Sequence, residues 1–234
     1  MHILGLIPAR GNSKGIPRKN MVPLLGKPLL SYTAASARGS KKLTRTVLST
    51  DDEEIARVGR ECGIDVPFLR PMALATDDTP MMDVVMHALS VLREQERYVP
   101  DIIVLLQPTC PLRQSSHIDA AIDLFLSTGA DTVVSVMEVP HQFVSSSLMQ
   151  LTEGRLLFPT DLPPKFQRQS KEKLFARNGP AVLVTRPSVI EKERSLYGPD
   201  IRPLFMDREH SVDVDGTADL AYVEFLLKRR EEAS

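Results

Sequence analysis

Leu4-Gly5-Leu6-Ile7-Pro8-Ala9-Arg10-Gly11-Asn12-Ser13-Lys14-Gly15-Ile16-Pro17-Arg18-Lys19-Asn20 begins as an apolar run and breaks at Pro8. It continues as a loop with two glycines, two small polar residues and four cations. A buried strand feeding such a loop is a common way to build a phosphate cradle. Glycine lets backbones approach closely, free N–H groups turn inward, and Lys and Arg neutralise the anion. The loop ends in no Gly-Lys-Ser/Thr and lacks the G-x-G-x-x-G spacing, so it is neither a Walker loop nor a dinucleotide fingerprint. A solvated basic turn is the plain alternative. Position favours the cradle: open α/β sheets bind ligands beyond the C-terminal ends of their strands. The stretch therefore predicts an α/β fold whose first loop, Arg10 to Gly15 with Lys19 and Asn20, holds a nucleoside triphosphate.

The rest of the chain fits that class. Its 234 residues are 42% hydrophobic and 25% charged, as expected of one globular domain. The formal net charge of −1 gives no reason to expect a nucleic acid or an acidic membrane surface as partner. The basic cluster at the first loop is thus a local feature. Cys62 and Cys110 are the only cysteines, too few for a disulfide scaffold. The first apolar run is short and is followed by its cations, which is not a secretory pattern. No apolar run is long enough to span a bilayer. The expectation is a cytoplasmic protein.

His2–Ile7 reads as a buried strand. Pro28–Ala35 begins a helix that closes near Gly39. Arg45–Ser49 is a strand, and Thr50-Asp51-Asp52-Glu53-Glu54 opens a helix ending at Gly63, with a Thr or Asp cap. Asp65–Leu69 reads as a short strand, Leu74–Thr79 as a polar loop and Met81–Gln95 as a helix. Asp101–Leu106 is the strongest strand, apolar enough for burial on both faces. Proline makes Gln107–Arg113 a loop. Ser116–Ser127 is a helix and Thr132–Met137 a strand. This alternation predicts a mainly parallel sheet with helices on both faces. Between Pro140 and about Phe175 the rhythm breaks, and a lid, a dimer arm and a disordered loop all suit that excursion. Ala181–Thr185, Ile201–Met206 and the alternating Ser211–Asp215 read as strands, and Thr217–Arg230 as the last helix.

Asp213 and Asp215, two apart on a strand, would project to one face and share a hard divalent cation with phosphate oxygens. A solvent-facing edge, or Asp215 as cap of the last helix, is the simpler alternative. With a basic cradle elsewhere, the pair completes a set for nucleotidyl transfer. Asp51 and Asp52 read as caps. Gln107 leaves the central strand at the sheet edge where substrate would sit, and Arg70 lies in a loop where it reads a base or is solvated. The five histidines show no metal-ligand spacing. Cys110 has no base partner in sequence, and no G-x-S-x-G elbow occurs.

The first loop, Leu48-Ser49-Thr50-Asp51, Leu69-Arg70-Pro71, Leu105-Leu106-Gln107-Pro108-Thr109-Cys110-Pro111-Leu112-Arg113, Arg168-Gln169 with Phe175 and Asn178-Gly179, and Val212-Asp213-Val214-Asp215 together resemble the acylneuraminate cytidylyltransferases. The likeness runs through nearly the whole chain. It implies a Rossmann-like α/β domain over residues 1–234. An excursion at about 140–175 would serve as the dimerisation extension of a homodimer. The implied reaction joins CTP to a nonulosonic, sialic-acid-like sugar acid with magnesium (Mg2+), giving a CMP-sugar and pyrophosphate. By the same likeness Arg10 and Lys19 bind the triphosphate, with Gly11, Asn12, Ser13, Lys14 and Gly15 forming the cradle. Asn20 and Arg70 read the base, Gln107, Arg168 and Asn178 hold the sugar acid, and Asp213 and Asp215 hold the metal. Departures fall at Met81, at Pro140-His141-Gln142-Phe143 and at Ala176-Arg177-Asn178-Gly179-Pro180-Ala181. They lie where sugar and dimer contacts are expected and bear on the sugar more than on the chemistry. Two other readings are another sugar, such as an eight-carbon 2-keto-3-deoxy acid, or another nucleotide, and a non-catalytic nucleotide-sugar binding protein.

Overall fold

The computed structural model describes residues 1–158, 167, 169 and 171–232. β1 (Ile3–Pro8) is buried at all six positions. Its side chains alternate between two helical layers, as the two-residue period of a strand requires. Ile3 and Ile7 pack with one buried cluster and Leu4 and Leu6 with another. After the first loop come a two-residue pair, β2 (Pro23–Leu24) and β3 (Lys27–Pro28), then α1 (Leu29–Arg38) and β4 (Arg45–Ser49). α2 (Glu53–Glu61) is capped by Asp52, whose side chain accepts from the Glu54 and Ile55 amides. α3 (Met81–Glu96), β5 (Ile102–Leu105), α4 (Ser115–Thr128) and β6 (Thr132–Glu138) follow. A hairpin of β7 (Gln150–Thr152) and β8 (Arg155–Leu157) stands apart from the main sheet. β9 (Phe175–Arg177), β10 (Leu183–Thr185), α5 (Pro187–Glu193), β11 (Ile201–Phe205) and α6 (Thr217–Glu232) complete the order.

The main sheet runs β11-β6-β10-β5-β1-β4, with β9 also paired to β6. β4, β1, β5, β6 and β11 point one way, while β10 and β9 run against them. The sheet is therefore mainly parallel, with α1, α2 and α4 on one face and α3 and α5 on the other. A third cluster joins α6 to the first loop: Val223 and Leu226 pack with Ile16, Leu29, Leu112 and Val214. Chain order sets the site. From β1 the chain moves outward to β4 and then returns to the opposite side of β1 as β5. The loops after β1 and β5 diverge there, and such a reversal leaves a crevice at the C-terminal sheet edge.

Two expectations change. Asp65–Leu69 is not a strand; only a bridge from Val47 to Asp65 forms, and Pro67 supplies no amide to extend it. Ser211–Asp215 is not a strand: Ser211 ends a turn, and the Val214 amide donates to the Thr109 carbonyl at 2.8 Å. None of the described strands pairs with it. The excursion contains the β7–β8 hairpin, which turns at Glu153 and Gly154, both at positive φ (49° and 77°), as a two-residue hairpin requires. All six of the hairpin's strand residues are exposed.

Candidate active site

The loop after β1 is pinned by carboxylates of the next βα junction. Ala9 donates to the Ser49 carbonyl at 3.0 Å, and the Gly11 amide donates to Asp51 Oδ1 at 3.0 Å. Asp51 also meets the Arg70 guanidinium at 3.6 Å. Arg18 grips Asp52 through two N–H groups, at 2.9 and 3.2 Å. Burial works against ionisation of Asp52, but Arg18 and the α2 amides outweigh it and hold the carboxyl below its ordinary range. Gly11 and Gly15 are close-approach residues. A Cβ on Gly11 would stand 2.9 Å from Asp52 Oδ2, and one on Gly15 would overlap the Asp215 carbonyl oxygen. These glycines bring the loop against the protein's own acidic segments. The Gly11 amide in particular is engaged with Asp51, not turned into the cradle as expected.

A cleft of about 490 Å³ opens between the loops after β1 and β5. Arg10, Ser13, Lys14, Gly15, Lys19, Asn20 and Arg70 line it, with Gln107 and Asp215 on the facing side. Asn12 is exposed and Gly11 is buried, and neither is among the lining residues. Each cation has an internal counter-charge. Arg10 and Lys14 both reach Asp77, at 2.7 and 3.2 Å. Lys19 Nζ donates to the Val214 carbonyl at 2.7 Å and to Asp215 Oδ1 at 3.0 Å. Arg70 is only 5% exposed; burial lowers its pKa and Asp51 opposes that shift. The Arg70 Nε hydrogen has no partner. Asn20 donates to the Arg10 carbonyl at 2.9 Å, fixing the two ends of the loop together.

Asp213 and Asp215 flank the buried anchor Val214. The Asp215 side chain is 81% exposed at the rim, whereas Asp213 is half-buried. Burial first, and the Asp215 charge second among the raising influences, push the Asp213 carboxyl above its ordinary value. Two carboxylates served by one lysine leave an excess of negative charge. Hard oxygen donors in that state suit Mg2+, which is commonly held by one or two carboxylates together with substrate phosphates. Among the described residues no group of three or more His, Cys, Asp or Glu could form a full protein cage. Cys110 faces this pair, 3.7 Å from Asp213 Oδ1, and donates to the Asn178 carbonyl at 3.3 Å. Burial, with the Asp213 charge adding to it, pushes its thiol up to about 12, so it stays protonated.

A second cleft of about 410 Å³ shares Met81 and Gln107 with the first. Arg177, Leu196 and Tyr197 form its far side. The Arg177 guanidinium donates to the Tyr197 hydroxyl at 2.8 Å and lies 5.2 Å from that ring's centroid. Asn178 does not face either cleft as the sugar-contact expectation required. It is 4% exposed, donates to Ser211 Oγ at 2.9 Å and accepts from Ser135 Oγ. Its amide thereby orients the segment carrying Gly179 and Pro180. Arg168 lies outside the described residues. Sequence reading missed Asp77, Arg177, Tyr197 and the buried Arg113. Arg113 donates to the Gln107 carbonyl at 3.1 Å and the Ala181 carbonyl at 2.7 Å, tying the Gln107 loop to the approach to β10. Burial brings the Arg113 pKa down to about 10. Only the Pro111-Leu112-Arg113 ending of the loop hinted at a fixed arginine.

Comparison with known proteins identifies the family. The family model described as Cytidylyltransferase matches residues 4–180. A CMP-N,N′-diacetyllegionaminic acid synthase of Legionella pneumophila is 32% identical over 100% of this chain and 99% of that protein. A pseudaminic acid cytidylyltransferase of Campylobacter jejuni is 29% identical over the full length of both. An N-acylneuraminate cytidylyltransferase of Escherichia coli is 32% identical over 93% of this chain, which spans 50% of that protein. A solved structure of a CMP:2-keto-3-deoxy-manno-octonic acid synthetase complexed with CTP shares the fold. Its TM-score is 0.72 at 16% identity, over 98% of this chain and 100% of that one. With a match to most of its length and a full-length relative above 30% identity, the chain belongs to the cytidylyltransferase family.

Proposed function

We propose that this enzyme transfers CMP from CTP to the anomeric hydroxyl of a nonulosonic acid, releasing pyrophosphate. The observation that carries the reading is the pair of clefts meeting at Gln107, one basic and edged by Asp215, the other largely apolar. A triphosphate fits the first and a sugar acid the second, which puts the α-phosphorus near their junction. The sugar hydroxyl oxygen forms a bond to that phosphorus and gives up its proton to water, the bond to the β-phosphate oxygen breaks in line, and pyrophosphate leaves. Arg10, Lys14 and Lys19 exchange their internal carboxylates for phosphate oxygens and stabilise charge building on the leaving group. Arg70 and Asn20, which line the first cleft, are assigned to the nucleoside end. Asp213 and Asp215 would hold Mg2+, which supplies charge neutralisation at the α-phosphate when bound. Gln107, held by Arg113, orients the sugar, and Arg168 is assigned to the sugar acid by family likeness.

The chain acts as a cytoplasmic homodimer in this reading. Leu151, Leu156 and Leu157 on the β7–β8 hairpin are 69%, 61% and 52% exposed, an apolar arm suited to a second copy. No described helix is long and apolar enough to cross a membrane. Sedimentation at micromolar concentration should give a dimer; a strict monomer overturns that assignment. The reaction is tested by pyrophosphate release with Mg2+ and CTP. N,N′-diacetyllegionaminic, pseudaminic and N-acetylneuraminic acids, and 2-keto-3-deoxy-manno-octonic acid, are supplied singly, with ATP and GTP as controls. Release with CTP and a nonulosonic acid is expected. CTP binding without release from any acid would favour a non-catalytic binding protein.

A further inference from the structure

Resting on that reading, we propose that Arg177, held by Tyr197, is the residue of the second cleft that grips the sugar's C1 carboxylate. Every cation lining the first cleft is paired within the protein, to Asp77, Asp215 or Asp51. Arg177 differs. Among the described residues it makes no ion pair; its recorded partner is the neutral Tyr197 hydroxyl. That hydroxyl takes one of five guanidinium hydrogens and leaves the fork available for a planar anion. No carboxylate lines this cleft, and Met81, Leu105, Leu196 and Pro180 give it apolar walls. Apolar walls strengthen a charge pair relative to one in open water.

The chemistry of the acceptor narrows the choice of anion. A 2-keto-3-deoxy sugar acid carries one ionised group, its C1 carboxylate, and the phosphates belong to the first cleft. In the ring form that carboxylate is attached to the anomeric carbon, which also bears the attacking hydroxyl. A group that fixes the carboxylate therefore limits where the hydroxyl can point, and the shared residue Gln107 lies between this cleft and the triphosphate. Tyr197 acts as a positioning residue. Its ring lies against the guanidinium and its oxygen sets the orientation of the fork. Arg177 is exposed on the short strand β9, so replacing it removes no core packing.

The test compares wild type with Arg177→Gln, Arg177→Lys and Tyr197→Phe, each checked for an unchanged melting profile. Pyrophosphate release gives KM for the sugar acid and for CTP separately. Direct binding is read by saturation-transfer NMR with each acid of the panel above and with its C1 carboxamide. Arg177→Gln should raise KM for the acid at least about 10-fold, equal to about 1.4 kcal/mol, with KM for CTP changed by less than about twofold. The lysine variant should recover part of that loss, because it keeps charge but not the fork. Tyr197→Phe should raise the acid's KM by about 2–5-fold with little change in kcat. Wild type should prefer acid to carboxamide, and Arg177→Gln should lose that preference. An unchanged acid-to-carboxamide preference in Arg177→Gln, or equal binding of the acids by both proteins, overturns the assignment. Absence of pyrophosphate release from wild type with every acid overturns the transfer reaction instead. The NMR comparison still reads Arg177 in that case, since acid-selective binding lost in Arg177→Gln is the expected result with or without turnover.

Discussion

The two clefts manage charge in opposite ways. In the first, Arg10 and Lys14 share Asp77, Lys19 holds Asp215, and Arg70 meets Asp51. In the second, Arg177 rests on a neutral phenol. A highly charged ligand meets a site whose cations are already neutralised and oriented, so it must exchange partners to bind. A singly charged ligand meets a cation with no carboxylate to displace. The comparison suggests that the first cleft is built to hold its cations in place when empty, and the second to accept one weak anion without competition.

The largest effect should follow from breaking the acidic rim of the first cleft. Asp215→Asn keeps the shape of the side chain but removes its charge from Lys19 and from the proposed Mg2+ site. Steady-state turnover is expected to fall by about 10²–10³-fold, the loss typical when one preorganised electrostatic group is removed. Binding of CTP, measured by calorimetry, should change by less than about threefold. Unchanged turnover would remove Asp215 from the reaction and leave the first cleft a binding site only.

A steric lesion probes the same rim from the other side. Gly15→Ala would drive a methyl group into the Asp215 carbonyl oxygen, which is backbone and cannot rotate away. Overpacking of this kind costs about 1–3 kcal/mol, and here it would also separate the loop from the Asp213–Asp215 segment. A melting-temperature fall together with a loss of turnover of about 10-fold is expected. Wild-type behaviour would mean that the close approach is not needed for the site.

These positions differ in how far the sequence alone revealed them. β1, its basic loop and the loop after β5 were legible because apolar runs ended by Gly and Pro carry local information. Five of the seven sheet strands run in the expected common direction. Ser211–Asp215 was misread because Val-Asp alternation matches a strand, yet a ladder needs a neighbour and none of the described strands pairs with it. α5 went unread between two strands: at seven residues it is too short for a clear helical period, although a proline at the first helical position suits a helix start. Asn178 carried a matching motif but faces inward, which only packing could reveal. The Arg10–Asp77 and Arg177–Tyr197 pairs join residues with no periodic relation, so no local rule finds them.

Asp77→Asn makes the first cleft resemble the second by removing the shared counter-ion of Arg10 and Lys14. Both pairs are partly exposed, at 31–34% for Arg10 and Asp77, so each contributes little in water. The expected result is tighter binding of CTP, by about 2–5-fold at low salt, fading as added salt screens the released charges. Weaker binding would show that Asp77 contacts the ligand or its metal directly, and that the first cleft uses its carboxylates as more than place-holders.

The smallest effect concerns the scaffold behind the first cleft, where charges are paired but no ligand exchanges with them. Asp52 caps α2 and holds Arg18, and its folded carboxyl lies below the ordinary value of 3.8. A depressed carboxylate stabilises the fold fully above its unfolded value, and the contribution fades as pH falls through the folded one. Asp52→Ala should therefore lower stability by about 1 kcal/mol near neutral pH, mainly through the lost cap. Asp52→Asn keeps capping geometry and should lose only a few tenths of that, because Arg18 is solvent-exposed and screened. Denaturant titrations of wild type and Asp52→Asn should start to converge near about pH 4 and meet once pH has fallen through the lower folded value, below which the carboxyl is neutral in both states. A gap that persists in acid would assign the loss to altered packing at the cap. It would also remove ionic pairing from the account of how the first loop is held, leaving the Asp51 contacts with Gly11 and Arg70 to fix it.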